Sequence, residues 1–209
     1  WIKNGKEKIN LNLKNWVLKV QDLGVGEILI NSIDRDGLAE AADIDLIREV
    51  SKFNKKVIIS LGLTGMKDVI RLVNHLKKIG LKKRTVLMHC VSNYPVKNTE
   101  ANLNSINFLK SKLNMEIGYS DHTIGIIAPI IAFCLGANII ERHFTLNKRM
   151  EGPDHMLSSE PKGISDLVRF KKYYNKFNSW IKTRNTSEKN KINLITGDGI
   201  KKIQPNEYI

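Results

Sequence analysis

The sequence predicts an α/β protein with a parallel sheet of the (β/α) barrel type, a partial TIM barrel with about five β/α units. Apolar runs typical of buried strands alternate with amphipathic stretches of helical period, at intervals of about thirty residues. This alternation indicates right-handed βαβ units. Eight such units usually need about 250 residues, and the chain has 209. We therefore expect part of a barrel, or an open sheet.

Five apolar runs have the composition of strands buried on both faces. In chain order they are Glu27 to Ile33, Val57 to Gly62, Thr85 to Val91, Met115 to Ser120 and Asn138 to Thr145. Six stretches are predicted to be helical: Leu13 to Leu23, Ile44 to Phe53, Met66 to Ile79, Ala101 to Leu113, Ile126 to Leu135 and Ile164 to about Trp180. Gly24 ends the first helix, and Gly80 and Gly136 are placed as C-terminal caps. The polar segment from Thr183 to Lys191 predicts a linker.

Composition narrows the class of protein. The formal net charge of +13 suits phosphorylated substrates, but the basic residues are scattered, with no Arg-rich block, so we expect no nucleic-acid partner. Cys90 and Cys134 lie in apolar runs without a C-x-x-C spacing, which favours reduced thiols and a cytoplasmic location. The apolar segment Ile124 to Ile140 contains Pro129 and Gly136 and is better explained as a buried helix followed by a strand than as a membrane span.

Polar residues cluster where the predicted strands end, which is where parallel α/β folds carry their chemistry. His122 and His143 follow consecutive strands, so their imidazoles are expected to lie close enough to share one divalent cation. Water and substrate oxygens would complete the shell. The spacing alone favours the alternative of two hydrogen-bonded structural histidines. His89, one residue earlier on its strand and next to Cys90, could instead point the other way and be structural.

Several segments resemble the sialic acid synthase family in order and spacing. They are I-I-S-L-G, H-C-V-S-N-Y-P, G-Y-S-D-H-T-I-G, L-G-A-N-I-I-E-R-H-F-T-L and E-G-P-D-H, between residues 58 and 155. The resemblance implies a metal-dependent condensation of phosphoenolpyruvate with N-acetylmannosamine or a related amino sugar, giving a nonulosonic acid. It also implies a transferase with small-molecule partners and Mn²⁺ or Mg²⁺ as cofactor. A homo-oligomer is expected.

The resemblance assigns a role to each matching position. It implies that His122 and His143 bind the metal and, with Glu141, form the catalytic set. Phosphoenolpyruvate is expected at the three strand-end serines, and the sugar at Tyr94, Glu141 and Asp154. The serines are Ser60, Ser92 and Ser120. Leu61 and Leu63 depart from the Ser-Thr-Gly-Met usual in the family. No segment matches the family's first four strands with their phosphoenolpyruvate-binding lysines, or its C-terminal antifreeze-like domain, so activity of this chain is an open expectation.

Residues 1–50 resemble a different family, the cyclase subunit of imidazole glycerol phosphate synthase. The run S-I-D-R-D-G carries the likeness, and Asp36 takes the position of one of that family's two acid/base aspartates. The predicted organisation is a cyclase-like unit at 1–50, a synthase-like half barrel at 51–182, and a polar linker and tail at 183–209. A genuine fusion, a truncated gene and an assembly artefact would each explain such a junction.

The sequence is therefore compatible with three functions from different classes. The first is the synthase-type condensation. The second is a cyclase-type lyase that depends on Asp36. The third is a non-catalytic half barrel that self-associates to cover unpaired sheet edges.

Overall fold

A computed structural model describes residues 12–24, 28, 43–52 and 56–177. Within these residues there are six α-helices: α1 (Leu13–Asp22), α2 (Ile44–Val50), α3 (Met66–Lys78), α4 (Asn104–Leu113), α5 (Ile127–Cys134) and α6 (Pro161–Phe177). Its strands are β1 (Val57–Ser60), β2 (Thr85–Cys90), β3 (Glu116–Asp121) and β4 (Ile140–Arg142). The chain divides into two compact units, 1–170 and 171–209. Apart from residue 28, the predicted strand at 27–33 lies outside the described residues, as do Asp36 and the predicted linker.

The four described strands form one parallel sheet in the order β1-β2-β3-β4. Each strand pairs in register with the next one along the chain, so that Ser60 lies opposite Met88 and Cys90 opposite Ser120. Helices α3, α4 and α5 follow β1, β2 and β3 in the sequence. The predicted fold class, a parallel α/β half barrel, is confirmed.

Apolar side chains at helical spacing hold the helices to one face of this sheet. In α3 the buried residues Val69, Leu72, Val73 and Leu76 recur at intervals of three and four, which places them on one side of the helix. They join a core with the sheet residues Ile59, Leu87, Ile117 and Tyr119. Complete burial of Leu76 contributes roughly 1.5–3 kcal/mol.

Glycines end two of these helices as predicted. Gly80 and Gly136 have φ of +74° and +97°, a region that a side chain disfavours. Helix α4 ends in the same left-handed conformation, but there the residue is Asn114, with φ of 49°. Asn is the residue that most often replaces glycine in this conformation.

Burial on both faces, predicted for every strand, is wrong for β1. Ile59 faces the core at 7% exposure, whereas its neighbour Ile58 on the other face is 40% exposed. In β2, by contrast, residues 85–89 are all buried. Successive side chains of a strand point to opposite faces, so Ser60, Cys90, Ser120 and Glu141 share the face of Ile58, away from the helices.

The fifth predicted strand, Asn138 to Thr145, is shortened to β4. Beyond Arg142 the backbone leaves the sheet and pairs with a later segment. The Ser159 amide donates to the His143 carbonyl at 2.8 Å, and the Thr145 amide donates to the Ser159 carbonyl at 3.0 Å. A propensity-based boundary cannot anticipate this exchange of partners.

The apolar run from Ile124 to Ile140 forms α5 and leads into β4, as predicted. Within the described part of the chain, every helix is too short or too polar to cross a membrane.

Candidate functional site

His122 and His143 lie side by side at the carboxyl end of the sheet. His122 directly follows β3 and His143 directly follows β4, and these strands are neighbours. Their ring centroids are 5.4 Å apart and the ring planes are inclined by 66°. The structure therefore brings together the two side chains that the sequence singled out as metal ligands.

The His122 ring is oriented by the backbone. Its Nδ1 lies 2.8 Å from the Val91 carbonyl oxygen. Because a carbonyl can only accept, Nδ1 carries the hydrogen and Nε2 keeps a free lone pair in the neutral ring. His143 Nδ1 lies 3.5 Å from Asp154 Oδ2, which favours the same tautomer. Histidines that bind metals commonly have this arrangement, with the second ring nitrogen directed at a carbonyl or carboxylate.

The separation of the two rings fits a shared divalent cation. With metal–nitrogen bonds of 2.0–2.1 Å, two imidazoles on one cation have centroids roughly 4.5–5.5 Å apart, and the observed separation is 5.4 Å. Among the described residues, no group of three or more His, Cys, Asp and Glu side chains has a metal-binding arrangement. Water or substrate oxygens would have to supply the remaining ligands.

The ring of Tyr94 lies beside both histidines. Its ring centroid lies 4.1 Å from that of His122 and 5.8 Å from that of His143, and the residue is 53% exposed. With Asp154 next to His143, two of the three predicted sugar-binding residues border the two predicted metal ligands. The side chains come from the loops after β2, β3 and β4 and from the later loop that contains Asp154.

Ser120 and Glu141 meet on the sheet face below the histidines. They are register partners, and Ser120 Oγ donates to Glu141 Oε1 at 2.7 Å. Across the sheet, burial raises the pKa of the Cys90 thiol, the nearby Glu141 acts in the same direction, and contacts with Gly62 and Ser92 oppose the shift. The thiol is therefore kept protonated at neutral pH.

The other predicted residues are less closely grouped. Ser92 Oγ lies 3.4 Å from the position that a β-carbon on Gly62 would occupy, so the loops after β1 and β2 approach each other there. Ser60 ends β1, two strands away from Ser120. Asp36 lies outside the described residues.

His89 points away from His122 and His143, which is the alternative that the sequence left open. It is buried on the helix side of β2, where Nε2 donates to the Ala101 carbonyl at 2.9 Å and the ring stacks on Tyr119. Burial lowers its pKa below 6.5, and the bond to Ala101 partly opposes this.

Sequence reasoning missed Asp121 and Arg142, which form a buried ion pair behind the site. Burial lowers the pKa of Arg142, and burial raises the pKa of the adjacent Tyr119 to about 12, with Arg142 opposing that rise. A signal was available in the sequence. The residue before each strand-end histidine points to the opposite face, and here the two residues carry opposite charges.

Comparison with known proteins places these features in a family. Residues 30–179 match the NeuB family. The chain is 36% identical over 158 residues to an N,N'-diacetyllegionaminic acid synthase of Campylobacter jejuni, covering 75% of this chain and 47% of the relative. It is 39% identical over 133 residues to an N-acetylneuraminate-9-phosphate synthase of Drosophila melanogaster, covering 63% of this chain and 36% of the relative.

A solved structure shows the same likeness. An N-acetylneuraminic acid synthetase from Leptospira borgpetersenii superposes with a TM-score of 0.63 at 35% identity, covering 72% of this chain and 53% of that one. The chain thus spans about a third to a half of the length of these relatives. The family match begins within the segment that resembles a cyclase, and the boundary at residue 50 stays a prediction. Over most of its length, this chain belongs to the NeuB family.

Proposed function

We propose that this chain carries the metal-and-substrate face of a nonulosonic acid synthase. The reaction is the condensation of phosphoenolpyruvate with N-acetylmannosamine or a related amino sugar, assisted by Mn²⁺ or Mg²⁺. The observation that carries the proposal is the meeting of His122, His143, Tyr94 and Asp154 at the carboxyl end of the sheet, with ring separations that suit one cation.

The reaction requires that two substrates be held in one orientation. The enol carbon of phosphoenolpyruvate forms a bond to the aldehyde carbon of the open-chain sugar, a water is consumed, and inorganic phosphate leaves. A divalent cation at this position supplies Lewis-acid polarisation of the aldehyde oxygen. The proposed role of His122 and His143 is to hold that cation through Nε2.

Hydroxyl groups at the strand ends suit the anionic substrate. Ser60, Ser92 and Ser120 are proposed to donate to the phosphate and carboxylate oxygens of phosphoenolpyruvate. Ser120 has a single hydroxyl hydrogen, which it now donates to Glu141 Oε1. Substrate binding would therefore redirect this hydrogen and leave Glu141 free to accept from a sugar hydroxyl.

The sugar is proposed to lie over Tyr94, between Glu141 and Asp154. Tyr94 presents an exposed ring beside His122, and the two carboxylates can accept hydrogen bonds from sugar hydroxyls. The relatives described above differ in the sugar acid that they are named for, so the proposal names an amino sugar as a class.

Metal binding by the purified chain tests the site directly. Mn²⁺ at one hundred times its Kd stabilises a folded protein by about 2.7 kcal/mol, so we expect a clear rise in melting temperature. His122→Ala and His143→Ala should abolish the rise. His75→Ala is the matched control, because that histidine lies on α3 and contacts Arg48 instead of the site.

Turnover is measured separately, as phosphate released from phosphoenolpyruvate in the presence of N-acetylmannosamine and Mn²⁺. We expect release that depends on the sugar and on both histidines. An unchanged melting temperature with Mn²⁺ in the native chain, together with no phosphate release, would rule out the proposed function.

A further inference from the structure

Asp121 and Arg142 form a buried ion pair directly behind the candidate site. They are register partners on β3 and β4, and their side chains are 0% and 2% exposed. Each precedes one of the two histidines in the sequence. Because side chains alternate along a strand, the pair lies on the helix side of the sheet, opposite Ser120 and Glu141.

The polar atoms of this pair have partners on three segments of the chain. Asp121 Oδ1 accepts from the Tyr119 hydroxyl at 3.1 Å and from the Thr123 amide at 2.8 Å, and Oδ2 accepts from Arg142 Nη1. Arg142 Nη2 donates to the carbonyls of Thr123 and Leu157, both at 2.9 Å. Arg142 Nε donates to Ser159 Oγ at 2.5 Å. We call this set of bonds the Asp121–Arg142 clamp.

The clamp fixes the backbone around both histidines. His122 stands between Asp121 and Thr123, and both of these residues are bound within the clamp. His143 follows Arg142, and its carbonyl accepts from the amide of Ser159 at 2.8 Å. Ser159 is itself held by Arg142. The positions of the two imidazoles are therefore tied to one guanidinium group.

Global stability is a weak explanation for such a pair. The cost of removing two charges from water offsets much of their attraction, and well-packed apolar residues of similar volume often stabilise a protein at least as well. A shared cation, however, requires both ring nitrogens to lie within about 0.2 Å of their bonding distance. A rigid, fully hydrogen-bonded connection between the two strand ends meets that requirement.

We infer that Asp121 and Arg142 are positioning residues that set the separation of His122 and His143 for a divalent cation. The inference rests on the proposed metal role of the two histidines. It makes metal affinity depend on two residues that cannot touch the metal.

The test is the Kd for Mn²⁺ of the full chain, measured by electron paramagnetic resonance of free Mn²⁺. Outer partners of metal ligands typically contribute 10–100-fold to affinity, so we expect Arg142→Lys and Asp121→Asn to weaken binding by about that factor while circular dichroism shows a folded protein. Glu116→Gln is the matched control, because it breaks the exposed Lys56–Glu116 ion pair on the same sheet. Its Kd should remain that of the native chain.

A double variant separates positioning from stability. Asp121→Leu with Arg142→Met replaces the ion pair by apolar side chains, and its melting temperature is expected to exceed that of Asp121→Asn. Its Kd for Mn²⁺ should nevertheless stay at least tenfold weaker than that of the native chain. If affinity returns together with the melting temperature, the clamp is only structural and the inference is overturned.

A milder variant keeps the test decisive if the charged-pair variants do not fold. Ser159→Ala removes one hydrogen bond of Arg142 and should weaken Mn²⁺ binding by a smaller factor, about threefold or more. A Kd within twofold of the native value in every folded clamp variant would overturn the inference but leave the proposed function standing. A native chain without histidine-dependent Mn²⁺ binding would overturn the inference, and if it also released no phosphate the proposed function would fall with it.

Discussion

Gly118→Ala should destabilise the fold, because β3 passes too close to its neighbours at this residue to accept a side chain. A β-carbon at Gly118 would lie 2.2 Å from Met88 Sδ and 3.0 Å from both Met88 Cε and the Ile139 carbonyl oxygen. Met88 is completely buried on β2 and is the register partner of Gly118. The side chain that must move therefore has little free space.

The expected cost follows from similar substitutions that overfill a packed interior, which lose about 1–3 kcal/mol. For a protein of about two hundred residues, each kcal/mol lowers the melting temperature by roughly 2–4 °C. We therefore expect Gly118→Ala to unfold roughly 2–12 °C below the native chain. Thermal denaturation followed by circular dichroism measures this directly.

A double-mutant cycle identifies Met88 as the cause. Met88→Ala alone should cost about 2–5 kcal/mol through the cavity that it leaves. In that background Gly118→Ala should cost less than about 1 kcal/mol, since the sulfur is gone and only the Ile139 carbonyl remains close. Gly163→Ala is the control, and it is expected to raise the melting temperature instead of lowering it. Its β-carbon would have no neighbour closer than 3.6 Å, and alanine favours the helix α6.

Equal penalties for Gly118→Ala in the native and Met88→Ala backgrounds would refute this reasoning. A melting temperature for Gly118→Ala equal to that of the native chain would also refute it.

Two further predictions concern ionisable groups. Because burial lowers the pKa of His89, the unfolded chain takes up this proton first, and the free energy of unfolding should fall as pH drops below 6.5. Urea titrations at pH 7.5, 6.5 and 5.5 should show a smaller fall for His89→Gln, and an identical fall would contradict the assignment. Burial also raises the pKa of Cys90, whereas Cys134 is exposed. A thiol-specific disulfide reagent at pH 7.5 should therefore label Cys134 first, and Cys134→Ser should remove the fast phase. A fast labelling phase that persists in Cys134→Ser would contradict the prediction that Cys134 reacts first.

Local sequence patterns were sufficient for the fold because they repeat with every β/α unit. The prediction of Thr85 to Val91 differs from β2 by one residue, since a run of buried apolar residues has clear limits. The face exposed at Ile58 could not be anticipated. A strand's composition does not say which other elements cover it, because Ile suits both a covered and an uncovered sheet face.

Less of the site than of the fold could be predicted from the sequence. Strand ends and motif resemblance identified His122, His143 and Tyr94, and the structure brings these rings together. The roles assigned to them remain predictions. Asp121 and Arg142 were missed because the motifs direct attention to the histidines beside them. Their opposite charges are visible in the sequence, but the pairing is established only when β3 and β4 are placed in register.

The order of strands in the sheet keeps the candidate site within one continuous segment of the chain. Because β2, β3 and β4 are adjacent both in the chain and in the sheet, both histidines, Tyr94, Asp154 and the clamp are encoded by one uninterrupted stretch between residues 85 and 160. A single recombination event could transfer this stretch to another barrel scaffold as a cassette, with its supporting bonds intact. A site drawn from strands far apart in the chain would leave some of its ligands behind in the same exchange.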